Sequence, residues 1–221
     1  FFIDIDERTL VGSSPETMVR LENDKAFLKP IAGTRKRGAS QQQDRKLADE
    51  LLKDEKERAE HLMLVDLGRN DLGRIAQTGT VQVTDLMIVE RYSHVMHLVS
   101  NVECNIRQQK DCFDLIRAAF PAGTLSGAPK VRAMEIIGEM EEEPRGPYGG
   151  CAGYISFNGD MDMAITIRTA VVEKDKVTVQ AGAGIVADSD PESEYIETVN
   201  KSMSIQRALT FIEEVMLPGS H

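Results

Sequence analysis

No run of 18 uninterrupted apolar residues occurs in this sequence, so no segment reads as a membrane span. No segment resembles a signal peptide either. Positive charge is in deficit. Lys and Arg number 26 against 36 Asp and Glu, a formal net charge of −10 at pH 7, the opposite of what a general nucleic-acid binder carries. The cysteines are only three, Cys104, Cys112 and Cys151, and their spacing fits no metal site. An odd count without a signal peptide predicts reduced thiols and a cytoplasmic location. Internal repeats and composition breaks are also missing. Residues 1–217 are therefore expected to form one catalytic domain, with 218–221 a frayed tail or the scar of a cloning junction. There is no initiator Met, and Phe1-Phe2-Ile3-Asp4-Ile5-Asp6 already looks like the inside of a strand, so the chain is expected to be the C-terminal part of something longer.

What is present is ordinary for a globular protein: 221 residues, 41% hydrophobic and 28% charged. Residues 1–34 alternate short apolar runs with turn residues, the pattern of a strand meander. The polar, basic, Gln-rich stretch 35–46 predicts an exposed, mobile loop. Asp44 to about Ile75 reads as one helix, charged at first and nearly all apolar from Leu62 to Leu67. Residues 80–104 read as strands with Val81, Val83, Val95, Leu98 and Val102 toward a core. Asp111 to Phe120 and Lys130 to Glu142 read as helices around the small-residue loop 121–129. Gly153 to Phe157 and Met161 to Val172 flank Asn158-Gly159, which suits a type I′ hairpin, and Val177 to Ala181 adds a third strand. A last helix starts at Pro191 with Asp190 as its cap, and its apolar positions Tyr195, Ile196, Val199 and Met203 predict a buried face. Consecutive antiparallel strands with separate helices make the class α+β.

Five features could carry chemistry. Glu57 and Glu60, and again Glu194 and Glu197, are spaced by three, which puts each pair on one helical face. Such pairs are commonly solvated surface, but four carboxylates could also serve a hard cation such as Mg²⁺. Lys201, four residues after Glu197, is either a helical salt-bridge partner or a cation beside an anionic substrate. Gly123-Thr124-Leu125-Ser126-Gly127 and Gly182-Ala183-Gly184 can offer backbone N–H groups to an anion, though neither fits a dinucleotide or P-loop pattern. Arg168, read as lying inside an apolar strand, needs either a structural carboxylate or a bound one, held by its two-pronged guanidinium. His97, in a strand, is equally open to a structural or a chemical role.

The stretches Leu10 to Glu16, Pro30 to Thr34, Glu60 to Asp71, Ala122 to Lys130, Arg145 to Gly150 and Asp188 to Lys201 together resemble the chorismate-utilising enzyme family. That resemblance implies two large, packed, mostly antiparallel sheets flanked by helices, here without the N-terminal part of the fold. It implies Glu60 and Glu197 as direct Mg²⁺ ligands, with Glu57 and Glu194 holding metal-bound water or lying behind them. It assigns Arg168 and Tyr148, helped by Gly182, Ala183 and the Gly184 N–H, to the substrate's carboxylate, and Thr124 and Lys201 to the substrate pocket. Glu16 matches the acid that protonates the departing C4 hydroxyl, His97 a histidine linked to the later elimination, and Thr34 a catalytic position beside them. The implied reaction turns chorismate and ammonia into anthranilate and pyruvate through aminodeoxyisochorismate, on the route to tryptophan. The ammonia is drawn from glutamine by an amidotransferase subunit in a hetero-oligomer. Ala32 stands where amine-transferring relatives that attack covalently carry a lysine. Another chorismate-converting synthase, or a chorismate-binding sensor without catalysis, are the alternatives. A sensor would need the anion grip but not the acid.

Overall fold

The computed structural model describes residues 1–216, apart from the side chains of Glu213 and Met216, and the expected tail 218–221 lies outside them. The chain opens with strands β1 (Phe2–Ile5), β2 (Arg8–Gly12), β3 (Thr17–Glu22), β4 (Lys25–Leu28) and β5 (Ile31–Lys36). Between β3 and β4, Asn23 and Asp24 both take positive φ, 49° and 63°, the left-handed pair that a type I′ hairpin requires.

Helices α1 (Gln41–Lys53) and α2 (Glu55–Gly73) follow, where the sequence predicts one helix. The break falls at Asp54, which leaves helical geometry and uses its carboxylate to accept from the Glu57 N–H, capping α2. The expected mobile loop at 35–46 is also corrected. Ser40 caps α1 through Gln43, and Asp44 is buried. Its Oδ1 accepts from Arg37 Nε at 2.7 Å and its Oδ2 from Arg91 Nε at 3.0 Å. These bonds, with the Gly38 N–H, pull the Asp44 carboxyl down to about 2.

Next come β6 (Gln82–Arg91), β7 (Val95–Asn105), α3 (Cys112–Ala119, capped by Asp111), the single turn α4 (Gly123–Ser126) and α5 (Lys130–Met140). Of the predicted core positions here, Leu98 and Val102 are fully buried, while Val81, Val83 and Val95 are half-buried. Strands β8 (Cys151–Ile155), β9 (Met161–Ile165), β10 (Thr169–Glu173) and β11 (Lys176–Val179) lead to α6 (Pro191–Phe211), which ends in a π turn at Ile212–Met216. Asp190 caps α6 and Pro191 opens it, as predicted. Its predicted buried face is not found: α6 buries no residue, and Tyr195, Ile196 and Val199 are exposed. No helix among the described residues is long and apolar enough to cross a membrane. The three cysteines are free, as the composition predicts.

The α+β chain gathers into two compact units. The first holds Phe1–Pro15, Glu141–Ala152 and the chain from Ala164 onward. Its sheet has the order β1-β2-β10-β11, with antiparallel neighbours throughout. The second holds Glu16–Met140 and Gly153–Met163. Its sheet has the order β5-β7-β4-β3-β9-β8, with β6 on the other edge of β7. Strand β7 organises it: β5 pairs with Val95–Val99 and β4 with Val102–Asn105, end to end along one edge, with Pro30 between them. Met96, Leu98 and the α1 residues Ala48 and Leu51 form a buried cluster under that edge. Burying one such leucine stabilises by roughly 1.5–3 kcal/mol. In the same unit Gly153 has no room for a side chain, because a Cβ there would lie 2.0 Å from the Asp162 carbonyl oxygen.

Candidate active site

The second unit assembles two groups of candidate residues. The first centres on β5. Its register against β7 shifts between Ala32 and Thr34, and Gly33 takes φ +72° at the irregularity. That bulge aims the Thr34 hydroxyl at His97 Nδ1, 3.0 Å away, while the Gly33 carbonyl lies 3.3 Å from the same nitrogen. A carbonyl can only accept, so the neutral ring carries its proton on Nδ1 and its basic lone pair on Nε2. Tyr92 packs edge-on against the ring, 5.7 Å between centroids.

Arg35, next along β5, joins this group to the first carboxylate pair. It donates to Glu57 Oε1 at 2.9 Å, to Asp54 Oδ2 at 2.7 Å and to the Thr34 carbonyl at 2.9 Å. Glu57, and after it Asp54, hold the guanidinium's proton more firmly than usual. A Cβ on Gly33 would sit 3.1 Å from Glu57 Oε2, so the glycine also lets the carboxylate come close. Glu60, one helical turn on, is half-buried and has partners of its own. Sequence reasoning missed Arg35, whose only signal is its place directly after Gly33-Thr34. It also missed His61, which is fully buried with Nε2 2.6 Å from Ser100 Oγ and Nδ1 without a hydrogen-bond partner. Burial pushes this ring toward its neutral form.

The second group is a pair. Thr124 Oγ1 in α4 donates to Glu16 Oε1 at 3.0 Å. The neighbouring Gly123 packs closely against α2, where a Cβ would meet Leu67 Cδ2 at 2.5 Å.

The first unit gathers the other candidates. Arg168 does not lie inside a strand, as the sequence predicts. It falls between β9 and β10 with φ +49°, after the tight turn in which Ile167 N–H donates to the Ile165 carbonyl. Its Nε donates to the Lys201 carbonyl at 3.3 Å, and among the described residues it has no carboxylate partner. Lys201 Nζ lies 2.6 Å from Glu197 Oε1 and donates to the Gly182 carbonyl at 3.1 Å. The Tyr148 hydroxyl lies close to Gly182, where a Cβ would be 2.8 Å from it, and burial pushes its pKa up. Arg145 stacks over the Tyr148 ring at 5.7 Å. Ala183 is half-buried, whereas Gly184 is exposed and a Cβ on it would meet only open space. Tyr148, Arg168, Gly182, Lys201 and Glu197 are thus one neighbourhood rich in donors and cations. Glu194, one turn before Glu197, is half-buried, and Glu197 itself is exposed, like Tyr195, Ile196 and Val199 around it.

Carboxylate oxygens are the donors a hard divalent cation prefers, so both glutamate pairs have the right chemistry for Mg²⁺. With Glu57 Oε1 held by Arg35, Glu57 suits an outer role better than direct ligation. Among the described residues no group of three or more His, Cys, Asp or Glu side chains forms a ready-made metal cage. Coordination by waters and substrate oxygens would have to complete the shell, as is usual for Mg²⁺.

A family model described as chorismate binding enzyme matches residues 1–207. The chain belongs to the chorismate-binding enzyme family. Among curated members, anthranilate synthase component 1 of Aquifex aeolicus is 58% identical over 214 residues, covering 97% of this chain and 43% of that protein. The same component of Acetivibrio thermocellus is 59% identical over 206 residues, 93% of this chain and 42% of its own length. The solved anthranilate synthase component I of Streptococcus pneumoniae superposes with a TM-score of 0.85 at 49% identity, over 92% of this chain and 45% of that one. The menaquinone-specific isochorismate synthase MenF of Escherichia coli superposes at 0.81 with 28% identity, over 91% and 46%. The chain therefore spans a little under half the length of these chorismate-binding relatives.

Proposed function

We propose that this chain is the catalytic part of an anthranilate synthase large subunit, acting in the cytoplasm in tryptophan biosynthesis. It would convert chorismate and ammonia to anthranilate, pyruvate and water. The observation that carries this reading is Arg168: a half-buried guanidinium with no carboxylate partner among the described residues, in one neighbourhood with Tyr148, Gly182 and Lys201. Such a group asks for a carboxylate from outside the chain. Chorismate, a dianion, supplies two.

Arg168 and the Tyr148 hydroxyl hold the enolpyruvyl carboxylate, with the backbone of Gly182, Ala183 and Gly184 around it. Mg²⁺, with Glu60 and Glu197 as its ligands and Glu57 and Glu194 behind them, would polarise the ring carboxylate and draw charge into the conjugated ring. Glu16, oriented by the Thr124 hydroxyl, gives its proton to the C4 hydroxyl, which leaves as water while ammonia bonds to C2. Ala32 has no amine and cannot attack in ammonia's place, which favours free ammonia as the nucleophile. His97 then takes the C2 proton through Nε2, steadied from Nδ1 by Gly33 and Thr34. The C3–O bond breaks, enolpyruvate leaves and becomes pyruvate, and the ring becomes aromatic. A glutamine amidotransferase subunit is the proposed source of ammonia.

The test is to mix the full-length protein with chorismate, Mg²⁺ and ammonium and to identify the product by fluorescence and mass. Anthranilate and pyruvate are expected in equal amounts. Isochorismate, aminodeoxychorismate, accumulated aminodeoxyisochorismate or no turnover would each overturn the reading.

A further inference from the structure

Lys130 opens α5, and its side chain is only 11% exposed. Its ammonium has three hydrogens and three acceptors: Asp71 Oδ2 at 2.8 Å, the Ala119 carbonyl at 3.0 Å and the Pro121 carbonyl at 2.7 Å. One of these, Ala119, is the last carbonyl of α3, where the orphan carbonyls and the helix dipole both favour a cation, and Pro121 follows just past the cap residue Phe120. The third belongs to α2, from a carboxylate only 8% exposed. Because Pro121 and Lys130 stand at the two ends of one segment, the bond between them closes that segment on itself. Thr124, the partner of Glu16, lies inside the closed loop. The apolar side chains of α5 cannot do this work. The helix buries no residue, and Val131 and Met140 are 73% and 75% exposed.

We propose that Lys130 is a positioning residue for the reaction: it clamps the 121–130 segment so that the Thr124 hydroxyl meets the Glu16 carboxylate. A buried ion pair by itself adds little over a well-packed apolar pair. The distinctive feature is that two of the three ammonium hydrogens go to backbone carbonyls rather than to the carboxylate: Pro121 closes the loop and Ala119 ties it to the end of α3. The effect on turnover rests on the reading of Glu16 as the acid; the clamp itself does not.

Single removal of Lys130 would strand the buried Asp71 charge and confuse folding with positioning. The informative variant of the full-length protein is the double substitution Asp71→Leu with Lys130→Met, which removes both charges together. Its melting temperature is expected within a few degrees of the parent. Amide hydrogen exchange at residues 122–127 is expected to rise at least tenfold, and kcat with chorismate to fall at least tenfold, matching Thr124→Val. Parental exchange in 122–127 would overturn the clamp. Faster exchange with parental kinetics would uphold the clamp and overturn the role given to Glu16. Should the double variant not fold, Asp71→Asn decides. It keeps an acceptor for Lys130, whose ammonium the Ala119 and Pro121 carbonyls still hold, and is expected to show parental exchange and kinetics within about threefold. Loosening of the loop in Asp71→Asn would mean that the ion pair, not the carbonyl clamp, shapes it, and would overturn the proposal.

Discussion

Thr124 and Glu16 stand 108 residues apart in sequence and meet at 3.0 Å, hydroxyl to carboxylate. The hydroxyl donates to Oε1 and so fixes which oxygen of Glu16 is turned toward it. An amide can accept the same bond, which makes Glu16→Gln a clean probe. The variant is expected to fold and to bind chorismate with KM within about threefold, while kcat falls roughly 10²–10⁴-fold, the usual worth of a positioned acid. Steady-state kinetics on the full-length protein would check this, and a near-normal kcat would remove Glu16 from the chemistry.

The metal assignment has its own signature. Glu60→Gln and Glu197→Gln each take one anionic oxygen donor from Mg²⁺, so the Mg²⁺ concentration for half-maximal rate should rise at least tenfold. Glu57→Gln keeps an acceptor for Arg35 and should shift it less. Calorimetric titration of Mg²⁺ together with rate measurements would separate the three, and an unchanged requirement in all of them would end the assignment.

Two glycines should respond in opposite ways. A Cβ at Gly184 meets nothing, so Gly184→Ala should leave the melting temperature unchanged yet raise KM for chorismate about tenfold, because the substrate carboxylate would occupy that space. Gly33→Ala places a side chain at φ +72° and 3.1 Å from Glu57 Oε2, and should cost roughly 1–2 kcal/mol of stability. Thermal melts beside kinetics would read both.

Acid stability should report Asp44. Its carboxyl ordinarily titrates near 3.8 and is held at about 2 in the fold. The folded state therefore binds its proton less readily than the unfolded chain. The resulting stabilisation is complete above about pH 4 and fades as pH falls toward 2. Asp44→Asn should melt lower than the parent near neutrality, with the gap narrowing through that window. A gap independent of pH would show that the Arg37 and Arg91 contacts do not act through charge.

Much of the architecture was legible because its signals are local. Asn158-Gly159 between apolar runs marked the β8–β9 hairpin, but not its turn: only Gly159 takes positive φ and five residues join the strands, so the expected type I′ turn is not formed, whereas Asp190-Pro191 marked the start of α6. The break at Asp54 was not legible, since an aspartate within a charged helical stretch gives no sign that it will cap rather than continue. The apolar spacing of α6 predicted a buried face, but periodicity says that a face exists, not that this chain covers it. Arg168 read as a strand residue because its neighbours are β-branched, whereas the chain turns tightly there. The site's residue types were legible from motif wording, but their mutual geometry was not. Arg35 finds Glu57 and Asp54 across 22 and 19 residues, and Lys130 finds Asp71 across 59. Contacts of that range follow from tertiary packing.

The collision awaiting any side chain at Gly153, against the Asp162 oxygen of the adjacent strand, has an evolutionary edge. Even alanine, the smallest replacement, must push the two strands apart. A randomised library at this codon, selected for a functional product, should therefore return glycine alone, while the exposed tip at Phe157 accepts almost anything. Freedom and prohibition thus lie four residues apart on one hairpin.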